Sequence, residues 1–201
     1  MNIRPVLFRA LGAAILALSA SAQAQQPLTP QQMQLGAQLM QQQMAAMTPE
    51  LAERAKALSP EIRQFLMKVV LNHERRSDTL TLVQVMHEIL ADYQAVGAAI
   101  ATDNGPLAAD AARRIAGHRL PRGGMLPYLP LDKVTNEGLS VLPAMEAAVE
   151  GGARALADAA DRGDMVSAAQ HYGSVTAGCV ACHAHFRGQP GATAYQPALK
   201  R

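Results

Sequence analysis

Cys179-Val180-Ala181-Cys182-His183 places two thiols and an imidazole within five residues. On a helix these positions stand at i, i+3 and i+4 and share one face. Cys-x-x-Cys-His is the attachment signature of a c-type haem. The thiols add to the haem vinyl groups as thioethers, and the histidine offers a ring nitrogen to iron. Two cysteines with two residues between them also allow a structural disulfide, a thioredoxin-like redox pair or half of a zinc site. A zinc ribbon wants a second pair, and the chain has two cysteines in all. A thioredoxin-like motif wants a strand–helix context and usually lacks the adjacent histidine. One covalent haem c, held by Cys179 and Cys182 with His183 as axial ligand, is the expectation.

Other side chains are candidates around that group. Met86, His87 and Met125 each carry an atom that can ligate iron, though such residues more often serve packing or the surface. His185 lies two residues past His183, which turns it from that face toward solvent. Arg187, one turn after His183, would bring a cation to a haem propionate or tune the iron. Arg113, Arg114, His118, Arg119 and Arg122 form a basic stretch. It suits an acidic redox partner or the propionates, and more plainly a solvated helix end.

Helices must position these groups. Apolar residues make up 49% of the chain, mostly Ala, Leu, Val and Met, against 3% aromatic and no Trp. That balance favours helix over sheet and excludes a β-sandwich, a collagen-like chain or a charge-driven disordered one. Leu82, Met86, Ile89, Tyr93, Val96 and Ile100 keep helical spacing, with Leu80, Val83, His87 and Leu90 as an adjoining stripe. Asp103-Asn104-Gly105-Pro106 ends this helix and opens a second, which runs to about Gly117. Prolines and glycines make residues 120–138 a loop. A third helix spans about 140–162, with Pro143 in its first turn. Gly163-Asp164 stops it and caps a fourth, carrying Met165, Ala168, Tyr172, Val175, Cys179, Cys182, His183 and Phe186. Ala-rich helices leave core volume that a flat porphyrin could fill.

Both ends carry additional segments. Arg4 and Arg9, an apolar run from Val6 to Ala20, and Ala22 and Ala24 in small-x-small positions follow the order of a secretory signal peptide over residues 1–24. The run is short for a membrane span. Its removal would leave 16 basic and 16 acidic side chains, so neither charge nor composition marks a nucleic-acid binder. Residues 25–59 form a Gln/Met-rich extension. Met33, Met40, Met44 and Met47 share a helical face, which suits packing on the body and, less readily, copper. Thr48-Pro49-Glu50 and Ser59-Pro60-Glu61 are helix starts. The haem-bearing body spans residues 60–188, and 189–201 are a tail. The fold expected is all-α, an antiparallel four-helix bundle with an N-terminal helical extension.

Residues 157–164 (Ala-Asp-Ala-Ala-Asp-Arg-Gly-Asp) and the last helix through Cys179-Val-Ala-Cys-His-Ala-His-Phe-Arg187 resemble cytochrome c′ and its low-spin, Met-ligated relatives. That family is itself one of the standard four-helix-bundle examples. The resemblance covers about residues 70–188. It implies an Arg-x-x-x-Leu pattern in the first body helix whose last residue covers the distal haem face, matched here by Arg76 and Leu80. The chain departs from the family in its N-terminal extension, its Pro/Gly loop and the missing aromatic before the third helix.

Two functions follow. One is periplasmic electron transfer through the haem iron, with an unidentified redox partner protein. The other is binding of nitric oxide or carbon monoxide by five-coordinate iron beneath Leu80. An enzyme is not expected, since peroxide cleavage needs a distal acid or base that Leu80 lacks. No nucleic acid and, after signal cleavage, no membrane are expected as partners; a homodimer is compatible with either function.

Overall fold

A computed structural model describes residues 28–187 and residue 199. The expected signal sequence, its expected cleavage site and all of the tail but Leu199 lie outside them. The described residues are helical with no strand. Three helices come first: α1 (Pro30–Ala45), α2 (Pro49–Ala57) and α3 (Pro60–Asn72). Then come α4 (Leu82–Ala101), α5 (Gly105–Ala116), the short α6 (Asn136–Leu139) and α7 (Leu142–Glu146), α8 (Gly152–Asp161) and α9 (Met165–Cys182).

Local chemistry sets most of the boundaries. Thr81 caps α4 by accepting from the Gln84 N–H, and the Gln84 side chain accepts from the Thr81 N–H, a reciprocal capping box. Asn104 caps α5 with Pro106 in the first turn. The turn between them is tight enough to put Asp103 at φ 53°. Gly163 at φ 73° ends α8, where a residue without Cβ is favoured, and Asp164 then caps α9. The third body helix is not one regular rod. Pro143 sits in the first turn of α7, but a π turn over Ala147–Gly151 joins α7 to α8.

Helices α4, α5, α8 and α9 close a ring of antiparallel neighbours. Arg114 of α5 reaches Asp92 of α4, Gly152 at the start of α8 faces Val175 late in α9, and Gly105 at the start of α5 faces Ala160 at the end of α8. Three seams are tight and the fourth, between α4 and α9, is loose. The tight seams are built from small residues: Ala108, Ala109, Ala111 and Ala112 of α5 lie buried against Ala153, Ala157, Ala159 and Ala160 of α8. A Cβ on Gly105 would stand 2.7 Å from the Ala160 carbonyl oxygen. The alanines therefore bring backbones together instead of leaving a void there, contrary to the expected role of the Ala-rich core. The loosely packed seam is the one between α4 and α9.

The N-terminal helices build a second core. Met47, Leu51, Ala55, Leu58, Ile62 and Leu66 are buried with Leu126, Leu129, Val134, Leu139, Leu142 and Phe186, and Met40 and Met44 pack against them. The methionine stripe thus serves packing, except Met33, which is 48% exposed. The 120–138 loop is held between this core and the bundle, with two short 3₁₀ turns at Leu126–Tyr128 and Leu131–Lys133.

Leu51 is fully buried at the centre of that second core. Leu51→Ala should cost about 2–5 kcal/mol through lost burial and a residual cavity. Denaturant unfolding of the purified chain measures it. A cost below about 0.5 kcal/mol, in the range of surface changes, would make α2 peripheral.

Candidate functional site

Helix α9 carries the Cys-x-x-Cys-His motif at its end, and α4 faces it across the loose seam. Two contacts hold the seam. The Tyr93 and Tyr172 rings stack with centroids 4.5 Å apart and planes 21° from parallel. The Tyr93 hydroxyl lies 2.7 Å from Thr176 Oγ1. Thr176 donates its one proton to the Tyr172 carbonyl at 2.8 Å, so Tyr93 is the donor in the hydroxyl pair. Burial, then the Tyr93 hydroxyl, pushes the Tyr172 phenol up, so it stays neutral.

These contacts define a register. A Cβ on Gly97 would meet the Tyr172 hydroxyl, and Tyr93 meets Thr176. Four residues back along α4 match four residues forward along α9, as two antiparallel helices require. Both contacts run through a tyrosine hydroxyl far from its own Cα, and the stacked rings set Tyr93 and Tyr172 roughly level, so Ile89 and Met86 lie toward the Cys179–His183 end of α9. Residues 86, 89, 93 and 97 and residues 172, 176, 179 and 183 each step by three or four, so the two stripes face one another.

Cys179 and Cys182 are unpaired and half-buried. Cys179 packs against the alanine-rich core and Cys182 against the second core, so the motif straddles their junction. Burial pushes both thiols up, and the neighbouring Cys179 adds to the effect on Cys182. A catalytic redox pair needs a stabilised thiolate. Raised thiols with no strand alongside argue against the thioredoxin-like alternative.

His183 is exposed, and its ring makes no hydrogen bond among the described residues. Partial burial, then the Arg187 cation, holds its pKa below the usual histidine value. At neutral pH the ring therefore carries a free lone pair. Arg187 is exposed one turn on, and its charge acts on His183. A π turn over His183–Arg187 follows the motif.

His185 is not solvent-exposed as its sequence offset suggests. It is half-buried, its Nε2 lies 3.0 Å from the Gly138 carbonyl oxygen, and its ring meets Phe186 edge-on at 4.6 Å. The wider π turn swings it toward α6, where it ties the motif to the loop side of the molecule.

The distal pair lies elsewhere than expected. Arg76 and Leu80 are not in the first body helix; both precede the Thr81 cap, in the segment joining α3 to α4. Arg76 donates to the Val70 carbonyl at 2.5 Å, and the Leu80 carbonyl accepts from the Arg122 N–H at 2.9 Å. The segment runs beside residues 120–122, held by Leu120 N–H to Arg75 O at 2.9 Å. Helix α4 starts only at Leu82, so Leu80 lies before its first residue. Met86 is half-buried, His87 is exposed, and Met125 packs on the second core.

The basic stretch is largely neutralised. Arg113 pairs with Asp161, Arg114 with Asp92 and Asp110, and Arg119 with Glu88 at 3.4 Å. His118 is drawn inward instead, toward His73 and Glu150, a cluster that no local motif announces. Only a fold that joins three distant segments brings these residues together.

No protein-family model, curated protein or solved structure matches this chain.

Tyr93→Phe should remove about 0.5–1.5 kcal/mol of stability, the usual net worth of such a hydrogen bond. The Tyr93→Phe/Thr176→Val pair should be non-additive in a double-mutant cycle read by urea midpoints. Additive effects would mean that this contact does not hold the seam.

Proposed function

We propose that the chain is an exported c-type cytochrome of the cytochrome c′ kind, carrying one haem c and transferring electrons to a partner protein. The observation that carries this is Cys179-Val-Ala-Cys182-His183 on one face at the end of α9. Its support is chemical: two unpaired thiols three residues apart, an imidazole with a free lone pair one residue on, and an apolar seam alongside. Leu82, Met86, Ile89 and Tyr93 of α4 are half-buried on that side, and Val83 and Val180 are 63% and 62% exposed. Apolar surface of this kind beside the attachment residues suits a large flat apolar group.

The haem would supply an iron that cycles between ferric and ferrous. The residues do the rest. Cys179 and Cys182 would tether it, and His183 would ligate it from the α9 side, with Arg187 setting a positive field beside that ring. Met86, half-buried on the seam side of α4, would supply a thioether ligand, whereas Leu80 lies outside the helix and carries no ligand atom. A thioether ligand fills the position that a gas would need, which favours electron transfer over gas binding. The proposed role is electron transfer, and no enzyme activity is part of it. The export signal is the basis for a periplasmic location. Among the described residues no helix is long and apolar enough to cross a membrane.

Optical spectra of the ferric and ferrous protein test this. The native form should be six-coordinate and low-spin, with no shift under carbon monoxide. Met86→Ala should become high-spin and bind carbon monoxide. A native high-spin spectrum with a carbon monoxide shift would overturn the Met86 assignment and make gas binding the better function. A chain purified without any haem spectrum would overturn both.

A further inference from the structure

Away from the cysteine motif, three segments converge on a buried polar cluster. His73 closes α3, His118 follows α5, and Glu150 projects from the π turn ahead of α8. His73 is 2% exposed and Glu150 is 7% exposed. His73 Nε2 lies 3.4 Å from Glu150 Oε1, and His118 Nε2 lies 3.7 Å from the same oxygen. The ligand atoms of all three lie within 4.8 Å of one another.

The backbone dictates what these atoms are. His73 Nδ1 is 2.7 Å from the Val69 carbonyl oxygen, and His118 Nδ1 is 3.0 Å from the Arg119 carbonyl oxygen. A carbonyl cannot donate, so both Nδ1 atoms carry the proton. In the neutral rings both Nε2 atoms are then bare lone pairs, turned toward a carboxylate. Buried His73 Nε2 makes no hydrogen bond. With both rings neutral, three acceptors face one another, and a positive charge between them, a proton on His73 or a metal ion, relieves the repulsion. Imidazole rings locked through Nδ1–H to backbone carbonyls, with Nε2 presented inward, are the usual support of a metal ligand.

We propose that His73, His118 and Glu150 bind a divalent first-row transition-metal ion, for which Zn2+ is the fitting probe. In tetrahedral coordination with metal–ligand distances of about 2.0–2.1 Å, ligand atoms stand roughly 3.3 Å apart. The 3.4 and 3.7 Å separations need only a small contraction to reach that. Two imidazoles and one carboxylate select a borderline ion over the hard, oxygen-seeking Mg2+ and Ca2+. Arg154 lies 3.5 Å from Glu150 Oε2 and 3.1 Å from Glu146 Oε1. It holds the far oxygen of Glu150 and leaves Oε1 for the ion. The site is independent of the haem reading, since it uses neither cysteine nor His183.

Equilibrium dialysis of the chelator-treated full chain against Zn2+ tests this, with Mg2+ as a control. The wild type should retain one equivalent of Zn2+ that His118→Gln and Glu150→Gln both lose, while circular dichroism shows their helix content unchanged. Zinc-edge X-ray absorption of the loaded wild type needs no variant. It should show nitrogen and oxygen ligands at about 2.0–2.1 Å, with two imidazoles and no sulfur. Wild type without bound Zn2+, full retention by both variants, or sulfur in the coordination shell would each overturn the proposal.

Discussion

The register of α4 against α9 governs what the motif can meet. The Tyr93 hydroxyl bond to Thr176 and the Tyr93–Tyr172 stack fix that register at the one loosely packed seam of the bundle. The other seams are closed by alanine faces whose backbones approach too closely to slide. The seam alone combines loose packing, half-buried apolar side chains and the cysteine pair. Moving the register by one turn would change which α4 side chains lie beside the motif.

The second core constrains the same end of the molecule from outside. Phe186 and Cys182 pack into it with residues of α2, α3 and the 120–142 segment, and His185 bonds to Gly138. The motif is thus held by the bundle on one side and by the N-terminal helices and loop on the other. The extension, in physical terms, is part of the support for the site. This arrangement also explains why a loop so rich in proline and glycine is buried: its carbonyls and N–H groups bond to residues 75–80 and to its own turns.

Much of this was legible in the sequence because it is local. Thr81, Asn104 with Pro106, and Gly163-Asp164 mark helix ends through side chains that bond their own neighbours. The cysteine motif is legible for the same reason. What escaped depends on distant segments or on departures from the regular helical turn. The π turns at 147–151 and 183–187 shift the faces that a strict 3.6-residue period assigns, which is how His185 turns inward. Arg76 and Leu80 match a short family pattern, but the chain pairs with residues 120–122 there and starts its helix later. His73, His118 and Glu150 are separated along the chain and meet only in the fold.

Cys179 and Cys182 are proposed to carry a haem whose iron His183 ligates. Trypsin should release one peptide spanning residues 163–187, bounded by Arg162 and Arg187. Mass spectrometry of that peptide from exported protein, after treatment with a thiol alkylating reagent, addresses the claim directly. The expected result is the peptide mass plus one haem, with neither cysteine alkylated. A peptide carrying two alkylated cysteines, or one with the two joined in a disulfide, would contradict it.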